Sequence, residues 1–329
     1  MDNNFMVFMS HSVDPAFNLS VEEWLMNNSS IDHIILFLWQ NENTVVIGRN
    51  QNPFKECDIK SLKEDSVHLV RRLSGGGAVY HDLGNLNFTF ISSNDNYNVE
   101  TNMKIILNSI AEFGLQGYFT GRNDLAIKER KFSGNAFFND QGKSCHHGTL
   151  LVDVDFKKLS SYLTASPLKL KSKGIDSVSA RVVNLKELAE DITVDKLKKA
   201  LVKSFNEIYA TEAAVVNLYE NSADLALYME KYRSLQWNFS ESPDFEISFE
   251  EKFHWGIIEF CLNHSEGKIK ECKIYTDAVL QVNFKELEKN LCGLPLEKAH
   301  IIEVLGSSVL DNQVKNDLIK LIEDKLCPI

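Results

Sequence analysis

Residue types that bind anions are concentrated in one short stretch, Arg71-Arg72-Leu73-Ser74-Gly75-Gly76-Gly77-Ala78-Val79-Tyr80-His81-Asp82. Three successive glycines suit a helix or strand interior poorly, because each loses extra backbone entropy on folding. They suit a place where the backbone passes close to something else. Exposed peptide N–H groups beside paired arginines make a seat for phosphate or carboxylate oxygens. A lone GGG would read as a tight turn with two surface arginines. Here the strand-like run Leu86-Asn87-Phe88-Thr89-Phe90-Ile91 follows at once, and kindred segments recur downstream.

Those segments are Gly121-Arg122-Asn123-Asp124-Leu125, Lys131-Phe132-Ser133-Gly134-Asn135-Ala136 and Cys145-His146-His147-Gly148-Thr149. All combine small residues with a few cations and amides in strand context. Asp124 is a carboxylate that could hold Mg²⁺ against phosphates. A further stretch, from Ser172 through Lys173, Gly174, Ser177, Val178 and Ser179 to Arg181 and Val182, has the composition of a loop able to close over a ligand. Other nucleotide motifs fail on spacing. Gly142-Lys143-Ser144 would need glycine where Phe137 stands to complete a P-loop, and Gly75-Gly76-Gly77 would need one at Tyr80 for a dinucleotide fingerprint. His146 and His147 are neighbours on a strand, so one should face a pocket and the other the opposite side of the sheet. Cys145 could be a thioester nucleophile, although a lone cysteine is more often a small buried hydrophobe.

Elements able to position these groups are legible around them. Asp14-Pro15 starts a helix running to about Asn27 with Phe17, Val21, Trp24 and Leu25 at helical spacing. His33 to Trp39, Thr44 to Gly48 and Val67 to Val70 read as short buried strands, with a short helix from Asp58 to Lys63 between the last two. Val99 to Phe113 and Val194 to Tyr209 are helical, while Leu125 to Ile127, Phe132 to Phe138 and Gly148 to Val154 are strands. This alternation predicts an α+β domain with a mixed sheet flanked by helices. Ser-Glu-Ser-Pro-Asp, within Ser240 to Phe249, breaks the pattern. The division expected is therefore 1–245 and 246–329, the second part a small α+β domain with a hairpin (Phe253 to Leu262, Ile269 to Tyr275) and helices over Phe284 to Leu291, Leu296 to Leu305 and Asn312 to Leu326.

Composition narrows the function classes. The chain has 329 residues, 44% of them hydrophobic, and a formal charge of −11, which argues against broad nucleic-acid binding. Its basic residues cluster in the glycine- and serine-containing loops, a pattern that suits a small anionic ligand. Six cysteines without CxxC or metal-ligand spacing read as reduced thiols, and no secretory signal or membrane-spanning run is visible, so a cytoplasmic protein is expected.

In order and register, these segments resemble the lipoate–protein ligase A family over about residues 5 to 245. The match follows RR-x-SGGGAV-x-HD-x-GN-x-N-x-TF, then GRND, K-x-SG-x-A, HHGTLL and KGI-x-SV-x-x-RV-x-NL. The chain departs at Ser179-Ala180, where a basic residue and serine are usual. The tail resembles the accessory C-terminal domain of bacterial ligases. The resemblance implies a biotin/lipoate-ligase-like catalytic fold and ATP- and Mg²⁺-dependent activation of lipoate to lipoyl-AMP with release of pyrophosphate. Transfer to a lysine of apo lipoyl-domain proteins, glycine-cleavage H protein or 2-oxo acid dehydrogenase E2 subunits, would follow. It casts Lys131 as the catalytic cation bridging carboxyl and phosphate oxygens. Arg71, Arg72, Ser74, Gly75, Gly76, Gly77, Ala78, Val79, Tyr80, His81, Asn85, Asn123, Ser133, Gly134, Ala136, His147 and Gly148 would line ATP and the adenylate. Lys173, Gly174, Ser177, Val178 and Arg181 would form the adenylate-binding loop, with Asp124 on Mg²⁺. A monomer is the expectation for this architecture. Two alternatives stand beside this reading: a cysteine-dependent octanoyl or lipoyl transferase of the same fold, and a noncatalytic lipoate-binding module.

Overall fold

The computed structural model describes residues 4–121, 123–164, 181–221, 225–239, 247–265, 267–279 and 284–326. Its largest sheet has eight strands: β1 (Phe5–Ser10), β2 (Ile34–Trp39), β6 (Asn85–Ser93), β7 (Tyr118–Phe119), β8 (Asp124–Ile127), β9 (Arg130–Asp140), β10 (Lys143–Leu151) and β11 (Ala214–Leu218). They lie in the order β11-β1-β2-β6-β10-β9-β8-β7. β1 runs parallel to both β2 and β11, and every other pair is antiparallel, so the sheet is mixed as expected. β2, Ile-Ile-Leu-Phe-Leu-Trp, is a continuous apolar run because both of its faces are covered. On one face, helices Val99–Ala111 and Val194–Tyr209 bury Ile105, Ile106, Leu197, Leu201 and Phe205 against Leu36, Phe88 and Phe132. On the other lies helix α1 (Pro15–Asn28), whose Phe17, Val21 and Leu25 meet Ile35, Phe37 and Val46. Asp14 caps α1 by accepting the Ala16 N–H at 2.8 Å, and Pro15 occupies its first turn.

A second sheet, β4-β3-β5, is built from β3 (Thr44–Ile47), β4 (His68–Arg71) and β5 (Val79–His81). β3 pairs parallel to β4 and antiparallel to β5, so the glycine loop is the link returning the chain across the same small sheet. The third sheet holds β12 (Ile247–Phe253), β13 (Gly256–Ser265) and β14 (Lys268–Thr276). With helices Lys285–Leu291, Lys298–Ser307 and Asn312–Lys325 it encloses its own core of Phe260, Leu262, Ile274, Leu291, Ile301 and Leu318. The three helices match expectation; the strand Ile247–Phe253 does not, since the predicted break extended to Phe249. Its alternating burial, with residues only partly covered, leaves a weak strand signal.

The junction between this region and the rest is polar. Gly76 donates its N–H to Ala278 O at 2.8 Å, Thr276 donates to Asn50 O at 2.8 Å, and Lys55 pairs with Glu259. The β13–β14 part of the third sheet therefore abuts the glycine loop directly.

Candidate active site

A cleft opens between the glycine loop, β5, β9, β10 and α1. The small sheet sets Ala78, Val79 and His81 along one wall, and β9 and β10 set Lys131, Gly134, Asn135, Ala136, His147, Gly148 and Thr149 along the other. Its buried interior includes Leu19 of α1, Trp39 of β2, Val46 of β3 and Asn87 of β6. Strand alternation decides which of the motif's residues reach it. Val79 and His81 line the cleft, whereas Tyr80 between them points the other way and donates to Asn43 Oδ1.

Lys131 is the cation nearest solvent in this wall, its side chain 35% exposed and its Nζ 2.7 Å from Asp124 Oδ1. Gly134 makes room for it: a Cβ there would lie 2.7 Å from Lys131 Nζ and 2.9 Å from Cε, so the lysine folds back over a bare backbone. Asn135 fixes the neighbouring loop, donating from N and Nδ2 to Asn123 O at 2.8 and 2.9 Å. His146 Nε2 meets Asn135 Oδ1 at 2.9 Å. The Lys131 carbonyl accepts the Val183 N–H at 2.9 Å, and Val182 bridges to Lys131 in parallel, so the chain just after Arg181 runs alongside the lysine's strand. Lys173, Gly174, Ser177 and Val178 lie outside the described residues.

The arginines are placed differently from one another. Arg72 lines the cleft, yet its guanidinium also braces the loop, donating to Ser74 Oγ, Val46 O, Gly75 O and Gly77 O at 2.7 to 3.2 Å. Arg71 does not reach the cleft. Its Nε, Nη1 and Nη2 donate to the carbonyls of Trp237, Gly48, Arg49, Gln51 and Asn238 at 2.7 to 3.1 Å. Read from sequence as an anion grip, it is here the strut tying β4 to the Gly48–Gln51 turn and to helix Leu235–Phe239. Burial lowers both guanidinium pKa values to about 10, which leaves them charged at neutral pH. Gly76 takes a φ of +93°, a conformation open to glycine, and a Cβ on Gly77 would meet nothing within 4 Å, so the loop presents open backbone to the cleft.

The histidine pair divides as strand geometry requires. His147 faces the cleft, with Nδ1 at 2.9 Å from Glu22 Oε2 and Nε2 at 2.6 Å from Ser74 Oγ. His146 sits on the opposite face among Phe88, Phe90 and Phe137. Glu22, His147 and Ser74 share the connectivity of a hydrolytic triad. Ser74 is buried and already receives Arg72 Nε, however, so the chain anchors the glycine loop to α1. Neither Glu22 nor Trp39 stands out in the motifs. Glu22 lies three positions after Leu19 and four before Met26, on the buried stripe of α1, and that spacing was the available signal. Asn85 bonds Asn87 Oδ1, Ser133 lies beneath Asn135, and Gly75 lends its carbonyl to Arg72, none of them lining the cleft. Cys145 is fully buried behind His147, and burial pushes its thiol pKa well up.

Residues 14–206 match the lipoyl protein ligase A/B catalytic domain and residues 242–324 the bacterial lipoate protein ligase C-terminus, and the chain belongs to this ligase family. The chain is 40% identical to lipoate-protein ligase A of Bdellovibrio bacteriovorus over 98% of its length and 97% of that protein. The crystal structure of P. falciparum LipL1 in complex with lipoate superposes with a TM-score of 0.85 at 31% identity, over 97% of this chain and 99% of that one. A lipoate-protein ligase A bound with ATP matches at 26% identity and a TM-score of 0.61, over 73% of this chain and 99% of that one. No helix among the described residues is long and apolar enough to cross a membrane.

Proposed function

We propose that this chain is an ATP-dependent lipoate–protein ligase that forms lipoyl-AMP and then passes the lipoyl group to a lysine of a lipoyl domain. The observation that carries this reading is Lys131 at the mouth of a cleft whose interior is apolar, flanked by Asp124 and facing an open glycine loop. An aliphatic acid entering past Leu19, Trp39 and Val46 would leave its carboxylate beside Lys131 and Arg72. Nζ can then hold a carboxylate oxygen and an α-phosphate oxygen together, aligning nucleophile with phosphorus and stabilising the charge that builds on it. Backbone from Gly77 to Tyr80 would line the nucleotide. No covalent enzyme intermediate is needed, because the mixed anhydride is itself the activated acyl donor.

Mg²⁺ fits Asp124: the carboxylate is about a third exposed at the mouth, and one carboxylate plus substrate phosphates is a usual donor set for this ion. When bound, Mg²⁺ would neutralise phosphate charge. Asp124 itself orients Lys131, which is the part of its role that this chain supplies alone. The loop around Lys173, Gly174, Ser177, Val178 and Arg181 is assigned to covering the adenylate, and the segment that follows it, Val182-Val183, pairs with Lys131. The division into catalytic residues 1–245 and accessory residues 246–329 belongs to the same proposal, supported by the separate core of the C-terminal elements. So do the acceptors, glycine-cleavage H protein or E2 lipoyl domains, and the cytoplasmic, monomeric state. Lipoate-dependent release of pyrophosphate from ATP and Mg²⁺, followed by modification of an apo lipoyl domain, tests the reading; folded protein that releases none would overturn it.

Two substitutions probe the roles within it. Gly134→Ala should displace Lys131 from its seat and slow pyrophosphate release by roughly 10- to 100-fold at near-native stability, comparable to a misplaced catalytic group; a rate within twofold of wild type would contradict the seat. Cys145→Ala should leave ligation within about threefold, with a melting temperature a few degrees lower from the small cavity. Abolished acyl transfer in a folded Cys145→Ala protein would instead favour the cysteine-dependent transferase. The buried, protonated thiol speaks against that alternative.

A further inference from the structure

His81 presents the cleft with a hydrogen-bond donor that no group among the described residues uses. The ring is 3% exposed, it lines the cleft, and among the described residues its Nε2 has no hydrogen-bond partner. The location of its proton follows from the amides on its other side. Asn18 Nδ2 donates to the backbone carbonyls of Gln40 at 2.8 Å and Ser12 at 3.1 Å, which fixes that amide's orientation. It also lies 3.0 Å from Asn41 Oδ1, so Asn41 turns its Nδ2 toward His81 Nδ1 at 3.3 Å. Asn87 Nδ2 lies farther off, 3.5 Å from the same Nδ1. The Asn41 N–H therefore points at Nδ1, which accepts it. The ring's proton then sits on Nε2.

We infer that His81 Nε2–H is a neutral donor for a carboxyl oxygen of the acyl substrate, an inference that rests on the ligase reading above. An unpaired buried N–H calls for a strong acceptor. Along a fatty-acid-like substrate the carboxyl oxygens are the strong acceptors; methylenes are none, and thioether-type sulfur is weak. Arg72 lies near enough to act on the imidazole electrostatically, so the surroundings favour an anionic group. Burial first, then the positive charge of Arg72, depresses the His81 pKa to about 3, and the ring stays neutral through physiological pH. A neutral donor has a particular use here. The oxygen it holds begins as part of a carboxylate and ends as the carbonyl of a mixed anhydride, and an uncharged N–H can follow it through that change without releasing or taking up a proton. Lys131 by contrast acts through its charge.

The test is direct binding of lipoate and of octanoate, which lacks the dithiolane, by calorimetry on wild type, His81→Leu and His81→Gln, with melting temperatures to verify folding. Glutamine can accept from Asn41 through its oxygen while offering an N–H to the cleft. The expected result is a loss of roughly tenfold or more in affinity for both acids in the leucine variant, of the size of one hydrogen bond to a charged group, largely restored by glutamine. A loss confined to lipoate would overturn the assignment and move the contact to the dithiolane; unchanged affinity for both would overturn it outright. Should the leucine variant not fold, ¹⁵N NMR of wild-type His81 decides: an Nε2–H neutral ring from pH 5 to 8, with a proton shift on adding either acid, is expected, and an Nδ1–H tautomer or no shift defeats the idea. These readouts do not depend on turnover, so a wild type that binds both acids without releasing pyrophosphate would fail the ligase reading alone.

Discussion

Lys131→Ala should lower the rate of lipoate-dependent pyrophosphate release by on the order of 10²- to 10³-fold or more, the scale for removing one preorganised charge from a developing transition state. The lysine packs on Gly134, pairs with Asp124 and is a third exposed, so water can take its place against the Asp124 carboxylate and the protein should melt within a few degrees of wild type. Lipoate affinity should change far less than the rate, because the acid's chain contacts Leu19, Trp39 and Val46 in the proposed pose. Stopped or single-turnover assays of pyrophosphate release, beside calorimetric binding, separate the two effects. Equal losses in binding and rate would mean that Lys131 merely tethers the acid; an unimpaired rate would remove it from the chemistry.

Arg71→Leu should act in the opposite way, on the fold first. Its guanidinium satisfies carbonyls contributed by two distant parts of the chain, and leucine would leave several of them without this donor in a buried place. A charged donor lost from such a site costs about 3–5 kcal/mol by comparison with broken buried pairs. That corresponds to a fall in melting temperature on the order of 10 °C for a unit of this size. Measured by calorimetry or urea unfolding, a stable variant with specifically weakened ATP binding would restore the sequence-based view of Arg71 as an anion grip. Arg72→Leu at the same loop should affect both stability and nucleotide binding, since that side chain braces the loop and lines the cleft at once.

The contrast between these two neighbours shows where the sequence was readable. Residue type announces that a guanidinium seeks oxygen, but not whether the oxygen belongs to a phosphate or to residues 20 to 167 positions away. Local signals served well: Asp14-Pro15 marked the start of α1, and apolar runs marked β2 and β3. Motif spacing gathered Lys131, Asp124, Gly134, His147 and the glycine loop into one place. Nonlocal features were hidden. β1 and β11, parallel partners about 208 positions apart by register, carry no turn between them to betray the pairing. Glu22 was missed because a carboxylate on a helix reads as solvent-facing until a partner such as His147 is known. Trp39 belongs to a buried strand and lines the cleft as well. Helices Ala226–Arg233 and Leu235–Phe239 were likewise invisible, being short and weakly amphipathic.

The cage around Arg71 has a bearing on how the protein is made. The glycine loop is among the first features to leave the ribosome, yet the backbone of Trp237 and Asn238 that completes its support arrives some 165 residues later. At about 5–20 residues per second, that interval is roughly ten to thirty seconds of synthesis. Through it, the arginine pair and the open glycines are displayed on an unfinished scaffold, and β1 waits for β11 over much the same span. A nascent chain halted before helix Leu235–Phe239 should therefore hold most of the sheet but not a usable cleft. Competence to activate an acid would then arrive abruptly, with helix Leu235–Phe239, rather than growing as the chain does.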